Sequence, residues 1–313
     1  MRFCRFVVWV LSIAFVIGPS SDSFGQGGGK WTKGTRMPSS RTEVAAVVSG
    51  GKIYVIGGFK KGSDLVEEYD PSTDRWRRRA SLPFPLHHVG AAAVGGRIYV
   101  IGGYRSGWTP VRTVLEYDPS QNRWRKRSRM PTERGALGVA VIGNEIYAAG
   151  GVDRSRRNTG ANEVYDPLKD RWTKRASMPT PRDHLAVGVV GGKLYAIGGR
   201  IDGSYRRNLV VTEEYDPASN RWRPRASMPT ARSGIAAAAL GGRIFVFGGE
   251  SVSGTFNQTE SYDPATDRWE TLTPMPTPRH GLGAAVLGGN IYVISGGPRP
   301  GGSFSSLNEV FTP

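Results

Sequence analysis

Arginines, aromatics and histidines crowd a few short stretches of this 313-residue chain, and they are the side chains that dominate recognition of protein, anionic and saccharide partners. One stretch holds Tyr104, Arg105 and Trp108, a second Arg154, Arg156 and Arg157, and a third Arg200, Tyr205, Arg206 and Arg207. Four histidines, His87, His88, His184 and His280, lie in three other regions, from which they could converge on a metal. Glu43, Glu250 and Arg200 are the types that acid–base chemistry on a sugar would use, although no motif fixes them together. Neither a phosphate-binding loop nor a nucleophile elbow is present. Cys4 is the single cysteine, so beyond the first few residues the chain has no thiolate ligand or nucleophile and no disulfide.

The elements that must position these residues repeat. Gly57-Gly58, Gly102-Gly103, Gly150-Gly151, Gly198-Gly199, Gly248-Gly249 and the variant Ser295-Gly296 each close an apolar alternating run, at a period of 45 to 50 residues. Downstream stand Tyr69, Tyr117, Tyr165, Tyr215 and Tyr262, each followed by Asp-Pro, and seven residues after each Tyr comes Trp76, Trp124, Trp172, Trp222 or Trp269. Within one period, Leu185 to Val190 and Lys193 to Ile197 are apolar runs split by Gly191-Gly192, the pattern of a tight hairpin. The predicted strands are a and b on either side of that hairpin, c ending in the Tyr, and d carrying the Trp. Proline after c cannot donate to the ladder and so ends it. Such a sheet is apolar on both faces, and the copies must stack to bury them.

The Gly-Gly pairs, the Tyr-Asp-Pro and Trp positions and the Met-Pro pairs at Met130, Met178, Met228 and Met275 make residues 30 to 313 resemble the kelch-repeat family. The resemblance implies an all-β, six-bladed β-propeller with four-stranded blades, a fold and not a chemistry. The sixth repeat stops at Glu309-Val310-Phe311 without its Trp strand, and Lys30-Trp31-Thr32-Lys33 matches the missing piece. The last blade is therefore expected to be closed by the N-terminal strand.

Strand parity puts the a–b and c–d turns on one face and the b–c and d–a loops on the other. Only the second face varies in length, and variable loops on a rigid scaffold are where binding resides. The expected binding residues are Tyr104, Arg105, Trp108, Arg156, Arg157, Arg200, Tyr205, Arg206 and Arg207 from b–c loops, with His88 and His184 from d–a loops. Arg41, Arg134, Arg182, Arg232 and Arg279 recur sixteen residues before each glycine pair, with Leu86 in the second repeat, and imply a structural role between blades. Two positions after them stand Glu43, His88, Ala136, His184, Gly234 and Gly281, a partial match to positions where some kelch domains contact acidic peptides.

Residues 1 to 25 combine Arg2 and Arg5, an apolar run from Phe6 to Ile17 and small residues at Ser23 and Gly25, which reads as a secretory signal peptide. Residues 26 to 313 then form the propeller, secreted or periplasmic, with 40 basic and 25 acidic residues. Many of the basic residues flank the Trp strands, as at Arg75, Arg77, Arg78 and Arg79, and form a rim belt that either guards strand edges or docks on anionic surfaces. The expected function is non-catalytic binding of a protein or of an anionic or carbohydrate ligand by a monomer, without cofactor or metal. The alternative is a carbohydrate epimerase or mutarotase in the same pocket, since the secreted kelch proteins it resembles include sialic-acid mutarotases. The galactose-oxidase type of copper site is set aside for want of its Cys–Tyr and Tyr–His groups, and nucleic acid for want of a recognition module. N-terminal sequencing of the exported protein is expected to begin at Gln26; a chain that retains residues 1 to 25 after export would refute the cleavage.

Overall fold

The computed structural model describes residues 28–59 and 64–313, so the expected signal segment lies outside the described residues. Six four-stranded antiparallel sheets form the blades of a propeller, and no α-helix occurs among the described residues. In blade one, strands a to d are Ala45–Ser49, Lys52–Ile56, Val66–Asp70 and Arg75–Arg78, paired in that order. The a strands meet side by side around a closed ring, blade six against blade one. In blade six, Gly283–Leu287, Asn290–Ile294 and Asn308–Thr312 are joined on the outside by Lys30–Lys33, with Trp31 opposite Phe311. The N-terminal strand thus closes the last blade. Trp31 packs on Phe311 and Phe247 with ring centroids 5.0 and 5.8 Å away, and its indole donates to Thr273 O at 3.0 Å.

Successive blades are joined by a repeated clamp. The Tyr of strand c donates to an Asp or Asn five residues on, as Tyr117 does to Asn122 at 2.6 Å, and that side chain also accepts the backbone N–H of Ala80 in the preceding blade at 2.8 Å. The carbonyl of the same Ala80 accepts the indole N–H of Trp124 at 2.8 Å. Both backbone polar groups of one residue are thereby satisfied by the next blade, at five of the six joints. The rim belt is partly consumed in this way: Arg79, Arg127 and Arg225 donate to the Tyr hydroxyl and to the Asp-Pro carbonyl of the following blade. Arg78 and Lys126 remain exposed.

The recurring arginine behaves differently from the expectation. Its guanidinium works within its own blade: Arg134 is fully buried, donates to Ala148 O, Gly150 O and Ala161 O, and pairs with Glu163 at 2.8 Å. A hydroxyl two residues earlier, Thr132, donates to the other Glu163 oxygen. Arg41–Glu67, Arg182–Glu213, Arg232–Glu260 and Arg279–Glu309 repeat the pair. It is the arginine's backbone that crosses between blades: its carbonyl accepts the second Gly N–H of the blade before, as Arg134 O does from Gly103, and in three copies its N–H donates to that blade as well, as Arg134 does to Val111 O. The inter-blade role therefore belongs to the peptide and not to the charge, because the strands sixteen residues on curl back over the same side chain.

Blade two dispenses with the ion pair: Leu86 and Leu115 occupy the Arg and Glu positions, 1% and 0% exposed in one apolar cluster. A buried pair and a well-packed apolar pair are thus alternative solutions to one site. Arg232→Leu or Glu260→Leu alone strands a buried charge and is expected to cost about 3–5 kcal/mol, whereas the double variant should cost much less. Urea unfolding of the three proteins measures this, and additive losses would exclude the coupling. Deleting residues 26–36 is expected to lower the melting temperature far more than deleting a surface loop; an unchanged melt would mean that the N-terminal strand is dispensable.

Candidate functional site

Six backbone groups make a ring around the axis. Glu43 N–H donates to Gly281 O at 2.7 Å, His88 to Glu43, Ala136 to His88, His184 to Ala136, Gly234 to His184 and Gly281 to Gly234, all between 2.7 and 3.1 Å. All six residues are left-handed, with φ between 50° and 65°. For Glu43, His88, Ala136 and His184 this conformation is costly, and it survives because neighbouring blades hold both sides of each peptide. At Gly281, with φ 59°, a Cβ would sit 2.5 Å from Glu43 Oε1, so any side chain there would displace the Glu43 carboxylate.

Two further sets of equivalent positions complete the site. The residue after each recurring arginine or its leucine pairs with the residue after each glycine pair, giving Thr42 with Phe59, His87 with Tyr104, Asp183 with Arg200, Ser233 with Glu250 and His280 with Gly297. Loops from five blades therefore deliver their side chains to one place. The result is a mouth cavity of ≈ 100 Å³ that is lined by Glu43, Phe59, His88, Trp108, His184, Arg200, Tyr205, Glu250 and His280. Blade three contributes only Gly135, Ala136 and Val152 at these positions.

Arg200 lies at the centre, 6% exposed. Its Nη1 donates to Glu250 Oε1 at 2.8 Å, its Nη2 to His184 Nε2 at 3.0 Å, and its Nε stands 3.4 Å from Asp183 Oδ1. Burial opposes its charge, but Asp183 and Glu250 more than offset this and raise its pKa. Asp183 is buried too, which alone would raise its carboxyl; His184, Arg200 and Asn158 outweigh that and hold it below the usual carboxylate range. His184 donates from Nδ1 to Asp183, which leaves Nε2 as the acceptor that Arg200 uses. Burial pushes His87 down to about 4 and His88 well below the ordinary imidazole value, so both are neutral at pH 7.

An aromatic lip stands over these polar groups. Trp108, 48% exposed, lies 5.6 Å from Phe59 and 5.0 Å from His88, ring centre to ring centre. Tyr205 lies beneath the Arg200 guanidinium at 4.6 Å.

Of the residues expected from sequence, Trp108, Arg200, Tyr205, His88 and His184 meet at this cavity. Tyr104 is buried beside it against His87 and Trp108. Arg105 stacks outward on Phe84, Arg207 pairs with Asp202, and Arg156, Arg157 and Arg206 are exposed away from the cavity lining. Phe59, Thr42 and Asp183 were not singled out in sequence. Phe59 and Arg200 directly follow their glycine pairs, and the same register finds Glu250.

The KLHDC2/KLHL20/DRC7 Kelch-repeats domain family matches residues 29–199 and 137–312. No curated protein matches the chain in sequence. Among solved structures, that of YjhT is similar over 89% of this chain and 96% of the other, with a TM-score of 0.78 at 16% identity, which speaks to fold alone.

Proposed function

The chain belongs to the kelch-repeat family, and from that premise we propose that it is an exported, non-catalytic receptor that engages a protein or glycan through its b–c and d–a loop face. The observation that carries this reading is the lip of Phe59, Trp108 and Tyr205 over a buried floor of Arg200, Glu250 and three histidines. Aromatic faces supply contact area at low entropic cost, and the buried polar groups fix orientation. Size narrows the partner. A cavity of ≈ 100 Å³ is well below the roughly 300–1,000 Å³ of sites that engulf a small molecule, so it accepts one projecting group, a single side chain or a terminal sugar, while the surrounding loops meet the rest of the partner.

A second reading, sugar epimerisation or mutarotation, is favoured by one feature: Glu250, 1% exposed and bonded to Arg200, faces His280 Nε2 at 3.5 Å. A carboxylate and an imidazole on one side of a small cavity can pass a proton.

A glycan-array and protein-capture screen supplies the ligand. Trp108→Ala and Tyr205→Ala are then expected to weaken binding by about 2 kcal/mol each, mainly through faster dissociation. Arg78→Ala and Lys126→Ala should change only association rate and salt dependence. If the rim variants abolish binding and the lip variants leave it intact, the face is wrongly assigned. NMR anomer exchange on a sugar panel that includes sialic acid separates the readings: exchange that Glu250→Gln abolishes would replace the receptor with the enzyme.

A further inference from the structure

We infer that Glu43, Glu250 and His280 form a binding site for one divalent transition-metal ion of the zinc class, on the propeller axis at the floor of the cavity. The inference is independent of which partner the loop face takes. Blades one, five and six supply the three ligands, and their donor atoms lie within 4.8 Å of one another.

The first argument is the orientation of His280. The ring is 1% exposed, and its Nδ1–H donates to Gly297 O at 3.0 Å. A backbone carbonyl on one imidazole nitrogen fixes the tautomer and aims the other nitrogen's lone pair, the arrangement found behind metal-ligating histidines. That lone pair, on Nε2, faces Glu43 Oε1 at 3.6 Å and Glu250 Oε2 at 3.5 Å. Three electron-rich atoms pointing at a shared space repel one another unless a cation lies between them.

The distances suit a shared metal ion. A protonated His280 bridging the carboxylates would draw them to about 2.7–2.9 Å, the length of a charge-assisted hydrogen bond. Two ligands on a tetrahedral zinc with bonds of about 2.1 Å are about 3.4 Å apart. The observed 3.5 and 3.6 Å are close to the edge of such a tetrahedron and leave room for an ion between the three atoms.

Charge points the same way. The carboxyl groups around the cavity floor are the buried Asp183 and Glu250 and the half-buried Glu43, against the single guanidinium of Arg200. Elsewhere in the propeller the deeply buried glutamates each have their own arginine, as Glu250 has Arg200, whereas Glu43 faces only His88 and His280. Besides Arg200, only the imidazoles of His88, His184 and His280 face these carboxylates among the described residues, and a dication between Glu43, Glu250 and His280 would supply a fixed counter-charge. The carboxylates are also held in place. Arg200 Nη1 and Gly301 N–H fix Glu250, and the absent Cβ of Gly281 makes room for Glu43. Three protein ligands leave a fourth position open toward the cavity.

A neighbouring group, Glu43, His88 and His184, shares the Glu43 carboxylate. Its His184 Nε2 already accepts from Arg200 at 3.0 Å, so the ion is assigned to the His280 side.

The full chain, stripped with chelator, is titrated with cobalt(II) and zinc(II) by visible absorption and calorimetry. One equivalent is expected to bind, with the intense visible bands of low-coordinate cobalt, and zinc should raise the melting temperature in a concentration-dependent way. Glu250→Gln and His280→Asn should each weaken binding at least a hundredfold while the metal-free melts show both variants folded. His88→Gln should keep the cobalt spectrum. Should either ligand variant fail to fold, the other decides, together with the spectrum of the wild type. Wild type that takes up no cobalt or zinc overturns the site, and so does a spectrum lost in His88→Gln but kept in Glu250→Gln or His280→Asn.

Discussion

The closed circle of six left-handed peptides on the axis is the constraint on which the rest of the structure depends. Each N–H in it is donated to the neighbouring blade, so no blade can rotate or slip by a residue without breaking two bonds at once. The register set there propagates outward: the a strands are fixed side by side, the glycine pairs are seated against the carbonyls of the next d–a loop, and the Trp clamp closes the joint at the rim. At Gly249, with φ 119°, a Cβ would meet Ser233 O at 2.9 Å. The glycine pairs recur because the backbone of one loop passes too close to another for any side chain.

Buried charge is handled in two ways in the same molecule. In five blades an arginine and a glutamate, both 1% exposed or less in most copies, neutralise one another and are further bonded to two to four neighbouring oxygens. Desolvation lowers the pKa of Arg134 and Arg232, and the paired glutamates counter it. Blade two meets the same volume with Leu86 and Leu115, and Phe84 stands where other blades have the hydroxyl that completes the network. The three positions change together because removing only one partner would leave the others buried and unmatched.

The architecture was legible because its determinants are local and recur. Tyr117, Asn122 and Trp124 form a clamp within eight residues, and five nearly identical copies announce it. Closure by Trp31 was legible for the same reason, as the missing fourth strand of the sixth repeat. The arginine's partner was not: recurrence shows that a residue has a fixed job but not whether the strand it touches belongs to its own blade or the next. The cavity was legible in part. His88, His184, Arg200 and Trp108 announce themselves by type, whereas the convergence of Glu43 with His280, 237 positions apart in sequence, exists only once the ring closes.

Because backbone groups carry the ring, the side chains on it are released from holding the fold, and they diverge where the rest of the repeat does not. Positions that would all read alike in a symmetric propeller read Glu, His, Ala, His, Gly and Gly. The polar members sit in blades one, two and four; blades five and six add Glu250 and His280 from flanking positions, and blade three presents only Gly135, Ala136 and Val152. Such asymmetry brings no gain in stability: two buried histidines held neutral, a left-handed Glu43 and more carboxylates than arginines each cost free energy. A scaffold with five copies of a balanced Arg–Glu pair has the means to balance the axis in the same way. That it gathers an unbalanced set there sets the axis apart from the charged rim, where Arg77, Arg125 and Arg223 are each already paired with a glutamate of their own blade.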